Sequence, residues 1–203
     1  MTGTVTGTGS DSYTFSVAQG TSFIISVGET GVHDPKFVPM IGLVDPNGLE
    51  RGHASPFNSK IQEDTPAAGP WTVKVSRGDD GGTSGGNYSL TLVQAPVSTG
   101  ATQLTAGSAT PGSNTRGDVQ LWTFTGTAGQ SEKLTFNATN SHGFIADTSI
   151  FAPSGLIIGG GPCAATCEGN IAVTQNGTYT IAVSRQDSSD VTGNYTISVS
   201  NQN

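Results

Sequence analysis

Charge is scarce in this chain of 203 residues: Lys and Arg number 8, Asp and Glu 15, and together they are 11% of the sequence. The few cations are scattered, so no basic stripe exists to neutralise phosphates and nucleic acid is excluded as an expected partner. The formal charge of −7 is read as a solubility feature, and it leaves room for a calcium ion. Long apolar runs are also missing. No stretch of about 18 apolar residues occurs, so no transmembrane helix is expected, no membrane partner is assigned and the chain reads as soluble. No window has the spacing of an amphipathic helix.

Catalytic signatures are equally sparse. The 3 histidines, His33, His53 and His142, each stand among Gly, Asp and Ser, and no Gly-x-Ser-x-Gly elbow follows a strand-like run. His-Glu-x-x-His, a phosphate-cradling Gly-Lys-Ser and a dinucleotide fingerprint are all lacking, and Gly159-Gly160-Gly161 before Pro162 reads as a loop. The expectation is a protein that is not an enzyme and requires no cofactor. Cysteine is limited to Cys163 and Cys167. A tetrahedral metal site needs four ligands, and no second Cys or His pair accompanies this one; the pair is read as a small-loop disulfide, which requires export to an oxidising compartment. Met1 is followed by Thr-Gly-Thr-Val rather than a secretory leader. The chain is therefore expected to be a piece of a longer secreted protein.

What the sequence has is a repeat. Gly177 to Arg185 and Gly193 to Val199 alternate apolar and small polar residues with the period of two of a half-buried strand. Gly69 to Arg77 and Gly86 to Leu92 match them element by element. Arg185 stands 108 residues after Arg77, Tyr195 107 after Tyr88, Ala152 107 after Asp45, and Trp122 109 after Tyr13. Four anchors in one order make the chain a tandem duplication. Pro96 with the following Ser, Thr and Gly supplies a linker, giving domains over 1–96 and 97–203. Each is large enough to bury its own core. Within each half the alternation predicts all-β structure. Gly177 to Val199 is expected to be a hairpin, and Tyr13–Val17 is expected to pair with Ser22–Val27, as Leu121–Thr125 with Glu132–Asn137.

Trp71 shares a face with Val73 and Val75, and Trp122 with Phe124, so both indoles are assigned to the core. That leaves Phe37, Phe57 and Phe144 in loops as the aromatics open to a ligand. Arg51, His53 and Asn58 in the irregular segment from Glu50 to Pro66 are the polar companions of such a site. For calcium, the turns holding Asp79 and Asp80 and, in the second copy, Asp187 and Asp190 gather carboxylates and carbonyls without EF-hand spacing. Asp and Gly are also ordinary turn formers there.

The motifs of the first half run Gly9-Ser-Asp11-Ser-Tyr13-Thr-Phe15-Ser-Val17, Leu43-Val-Asp45-Pro46-Asn-Gly48, Trp71-Thr-Val-Lys-Val and Gly86-Asn87-Tyr88-Ser-Leu-Thr-Leu92. They resemble the bacterial pre-peptidase C-terminal (PPC) domains. The second half departs from that pattern at Gln120, Trp122 and Ala152, which stand where the first has Asp11, Tyr13 and Asp45. The resemblance implies two tandem antiparallel β-sandwich domains of jelly-roll type, appended to an exported hydrolase such as a secreted peptidase. The function expected of such a chain is a non-catalytic accessory module that holds a polymer, polysaccharide first and fibrous protein second, near the catalytic domain of the parent chain. The alternative is a structural or export-assisting extension with no ligand of its own.

Overall fold

The computed structural model describes all residues except 32, 33, 35, 55–59, 65, 79–84, 98, 140–142, 187–191 and 203. The chain is all-β. The strands of the first half are β1 (Thr2–Val5), β2 (Asp11–Val17), β3 (Phe23–Glu29), β4 (Pro39–Val44), β5 (Glu50–Ala54), β6 (Lys60–Glu63), β7 (Gly69–Arg77) and β8 (Gly86–Gln94). Then come β9 (Thr102–Gln103), β10 (Thr110–Asn114), β11 (Gln120–Gly126), β12 (Ser131–Ala138) and β13 (Ala146–Phe151). The last four are β14 (Ile157–Cys163), β15 (Thr166–Ala172), β16 (Gly177–Arg185) and β17 (Gly193–Asn201).

In the first half, a sheet in the order β1-β8-β3-β6 faces one in the order β2-β7-β4-β5. This is the eight-stranded jelly roll. The second half repeats it, with β10-β17-β12-β15 facing β14-β13-β16-β11, and β9 adds a short parallel edge to β11. Among the described residues no sheet mixes strands from before and after residues 95–101.

The topology corrects three expected pairings. β16 and β17 are not a hairpin: β16 pairs with β11 and β13, β17 with β10 and β12. Likewise β2 pairs with β7 while β3 pairs with β8 and β6, and β11 pairs with β16 while β12 pairs with β15 and β17. Alternation fixes which face of a strand looks inward, and an arch between facing sheets satisfies it as fully as a hairpin within one sheet. These three consecutive pairs take the arch, whereas β4–β5 and β13–β14 pair within one sheet.

Each half has its own core. In the first it comprises Phe23, Ile25, Ile41, Leu43, Trp71, Val73, Tyr88 and their neighbours, and in the second Trp122, Phe124, Leu134, Phe136, Tyr179, Ile181 and Tyr195 with theirs. The two indoles are buried as their alternation requires. A tyrosine crosses each core to a polar group on the facing sheet. Tyr88 donates from its hydroxyl to Asp11 Oδ2 at 2.5 Å and lies 2.6 Å from the Tyr13 hydroxyl. Tyr195 donates to Gln120 Oε1 at 2.5 Å and accepts from Trp122 Nε1 at 3.1 Å. The substitutions of Asp11 by Gln120 and of Tyr13 by Trp122 thus keep the bridge while changing its charge. Burial, then hydrogen bonding to Asp11 and Tyr13, pushes the Tyr88 phenol above its ordinary range; burial pushes Tyr195 the same way.

The halves are joined face to face. Ile24 of β3 and Val93 of β8, with Ala95, meet Phe151 of β13 and Ala182 of β16, flanked by Leu121 and Ile157. The outer face of the β1-β8-β3-β6 sheet therefore covers the outer face of the β13-containing sheet, and the molecule is four sheets deep. This explains why β3 and β13 are buried at every position, whereas β12, the counterpart of β3, keeps one half-exposed face. Polar ties cross the same junction. Lys60 Nζ lies 2.9 Å from Asp147 Oδ2 and donates to Ser149 Oγ at 2.9 Å, and both charged side chains are buried to about nine-tenths. Arg116 Nη1 meets Glu29 Oε2 at 2.9 Å. The two faces left outside carry Lys74 where the second half has Ala182, and Lys133 where the first has Ile24. A lysine at the centre of each free face opposes the same stacking with another copy.

Candidate functional site

A jelly roll closes its long sides with strands but leaves its edges open wherever two edge strands diverge. In the second half those strands are β14 and β15, the last strands of their respective sheets. They are joined by the turn that the disulfide Cys163–Cys167 spans, with S–S 2.03 Å and Cα–Cα 5.9 Å. The disulfide clamps the two sheets at one end of the edge.

Beside that clamp lies a cleft of about 630 Å³, within the range of ligand sites, roughly 300–1,000 Å³. Its floor is the sandwich core itself: Leu134 and Phe136 from β12, Ile150 from β13 and Ile171 from β15. One wall is Ile158-Gly159-Gly160-Gly161-Pro162 of β14. The other is Glu168-Gly169-Asn170 of β15. The glycine run, read as a loop, is a strand: Thr148, Ser149 and Ile150 of β13 stand opposite Gly161, Gly160 and Gly159. Gly160 and Gly161 hold φ of 133° and 145°, where side chains are strained, and a Cβ at Gly160 would lie 2.2 Å from the Thr148 carbonyl oxygen. The wall must therefore be bare backbone there. Thr148 Oγ1 anchors it, accepting from Gly161 N at 3.2 Å and donating to Gly161 O at 3.1 Å. On the far side of the same strand, Lys60, Gln62, Asp147 and Gln186 line a second cavity of about 630 Å³ at the junction of the halves.

Electrostatically the cleft is nearly neutral. Among the described residues Glu168 is its one charged lining group, paired at 2.7 Å with Lys133 Nζ. Ile158 is 43% exposed, one of the few large apolar side chains in the molecule so placed.

The expected site residues do not assemble. Phe37 is fully buried in the first core, which corrects its assignment as a surface aromatic. It plugs the end of the sandwich over Gly86, where an added Cβ would come within 2.1 Å of its ring. Phe144, 107 residues later, is buried the same way over Gly193 at 2.1 Å. The glycine of each Gly-Asn-Tyr motif is the seat of an aromatic plug, a signal that the repeat carried, since both partners recur at one offset. Arg51 and His53 are exposed on β5, Arg51 Nε 3.9 Å from Asp45 Oδ2 and His53 Nε2 3.3 Å from Glu50 Oε1. Phe57 and Asn58, and the calcium candidates Asp79, Asp80, Asp187 and Asp190, lie outside the described residues.

β5 is nevertheless informative, because it is the counterpart of β14. In both strands the register against the neighbour shifts at one residue, between Leu43 and Val44 opposite β5 and between Ile150 and Phe151 opposite β14. The extra residue is Arg51 in the first half and Ile158 in the second. Glu50-Arg51-Gly52-His53-Ala54 thus aligns with Ile157-Ile158-Gly159-Gly160-Gly161. The first edge is guarded by charge. The second has lost every charge at the matching positions, and sequence reading had no ground to single it out before the strands were placed.

No family model matches the chain, and no curated protein matches it in sequence. Among solved structures, the CUB1-EGF-CUB2 fragment of human MASP-1/3 is similar at 9% identity and a TM-score of 0.27, over 98% of this chain and 100% of that one. A likeness at that level carries no argument about function.

Proposed function

We propose that the chain is a non-catalytic binding module of an exported protein, and that the open edge of its second sandwich holds an extended polymer. The observation that carries the reading is the nearly neutral, glycine-walled cleft between β14 and β15, set against the charged edge at the same place in the first half. Natural sheets blunt their edges with charge, and an edge left bare over an apolar floor favours a partner. The disulfide supports an oxidising, extracellular setting, and the resemblance to PPC domains supports a position beside the catalytic domain of a secreted hydrolase.

Protein fits this cleft better than polysaccharide. Sugar rings are held on exposed aromatic faces, and none of the described aromatic side chains is exposed: Tyr13 and Phe15 are half-buried and the rest are buried. A second reading, a rigid spacer without a ligand, draws support from the apolar cluster that joins the halves. Co-sedimentation with collagen fibres, denatured collagen and a panel of insoluble polysaccharides, with calcium and again with EDTA, separates the two. Depletion by the protein polymers is expected. Failure of every polymer to deplete the chain would remove the binding reading and leave the spacer, and loss of depletion in EDTA would make calcium a ligand.

A further inference from the structure

Resting on that reading, we infer that the cleft takes its ligand by strand addition: an extended, neutral or basic polypeptide segment with small aliphatic side chains pairs with the free edge of β14. Its alternate side chains then enter the space between the two sheets.

The geometry points to this mode in four ways. β14 has a hydrogen-bonded neighbour, β13, on one side and, among the described residues, no strand on the other, so its outward backbone groups lie along the lip of the cleft, apart from those of Gly161, which Thr148 Oγ1 holds. Three consecutive glycines carry no side chains to screen those groups. The cleft lies directly inside that lip, so a strand laid along β14 would direct every second side chain onto Leu134, Phe136, Ile150 and Ile171. The charge balance selects the guest: the one charged lining group, Glu168, is paired with Lys133 and leaves the cleft close to neutral, while the chain carries −7 overall, so an acidic segment is repelled by the whole chain and a neutral or basic one is not.

The site also has limits. Pro162 lacks an N–H and ends any ladder at that residue, and the bulge at Ile158 ends it on the other side. Thr148 Oγ1 already holds Gly161 N and O, so the pairing window is Gly159 and Gly160, with the Ile158 side chain as an apolar contact at its rim. Arg51, at the equivalent bulge of the first half, shows what the same place looks like when it is closed to such a guest.

The test uses the whole chain and a synthetic heptapeptide of alternating valine and threonine with lysine at each end. A second peptide has the same sequence with alternate backbone amides N-methylated. Ile158→Arg transplants the residue of the first half to an exposed position, so its thermal unfolding is expected to match wild type; Lys74→Ala, on a far face, is the control. The plain peptide is expected to bind wild type and Lys74→Ala equally, to bind Ile158→Arg at least tenfold more weakly, and to slow hydrogen exchange in β14. N-methylation on one edge is expected to abolish binding. Equal binding of both peptides, or protection confined to other strands, would overturn strand addition while the binding reading stood. Depletion by a polymer that Ile158→Arg leaves unchanged would move the site elsewhere. If neither peptide nor any polymer binds, both readings fail together.

Discussion

Replacing Gly193 by alanine tests the aromatic plug most sharply. The added methyl would lie 2.1, 2.2 and 2.6 Å from three ring carbons of Phe144, whereas carbon atoms rest at about 3.5–4.0 Å. The ring must therefore shift by more than about 1 Å. It has little room: it is buried between Phe136 at 6.5 Å and Tyr195 at 6.2 Å, centroid to centroid, with the Arg185 guanidinium 5.2 Å from its own centroid. Expelling it forfeits most of what deleting it would, about 3–5 kcal/mol for a buried Phe→Ala. For a unit of this size that is a fall in Tm of roughly 15 °C or more. The decisive comparison is the double variant. Once Phe144→Ala has removed the ring, Gly193→Ala should add less than about 1 kcal/mol, so the pair should couple by about 2 kcal/mol or more. Urea unfolding followed by tryptophan fluorescence measures this, Trp122 reporting on the second core. A cost below about 1 kcal/mol for Gly193→Ala alone, or full additivity in the cycle, would refute the plug.

Three further outcomes follow from the same contacts. Lys60→Met leaves Asp147 buried without its cation and should cost about 3–5 kcal/mol at the junction, whereas Lys60→Met with Asp147→Leu should be close to neutral; calorimetry of the three chains decides it. Tyr195→Phe leaves the Trp122 N–H without its acceptor and Gln120 Oε1 with the Ser113 N–H as its remaining donor, and should cost about 1–3 kcal/mol, while Tyr13→Phe, at a half-buried hydroxyl, should cost less. Burial raises the Glu132 carboxyl above its ordinary 4.5. A raised carboxyl contributes stability that is complete below the unfolded value and lost as pH rises through the folded one, so Glu132→Gln should flatten the stability profile above pH 4.5 and raise the neutral-pH plateau. An unchanged profile would show that Glu132 is not desolvated.

The duplication, the all-β class and the inward faces of β7, β11, β16 and β17 were legible because each rests on local spacing. Trp71 and Trp122 were placed in the core by their neighbours two residues away, and there they are. Strand partners were not legible. The run from Gly177 to Val199 has identical alternation whether its strands lie in one sheet or face each other, and no residue in the turn distinguishes the two. Phe37 and Phe144 were misplaced for a related reason: a loop aromatic reads as exposed unless its seat is known, and the seats, Gly86 and Gly193, lie 49 residues further along the chain in both copies. The faces that join the halves escaped notice because Ala182 and Ser184 read as ordinary solvent-side residues. Ala182 is covered because Ile24 and Val93 join it in one apolar cluster, and Ser184 is buried with its hydroxyl donating to the Asp147 carbonyl. The bare edge at β14 became visible once the fold aligned Ile158 with Arg51.

The central claim, that this edge of the second sandwich is where a polymer is held, is tested most directly by one depletion experiment on denatured collagen with three chains side by side: wild type, Ile158→Arg and Lys74→Ala. The account predicts that wild type and Lys74→Ala sediment together while Ile158→Arg stays in solution with its fold intact. Equal sedimentation of all three chains would contradict it.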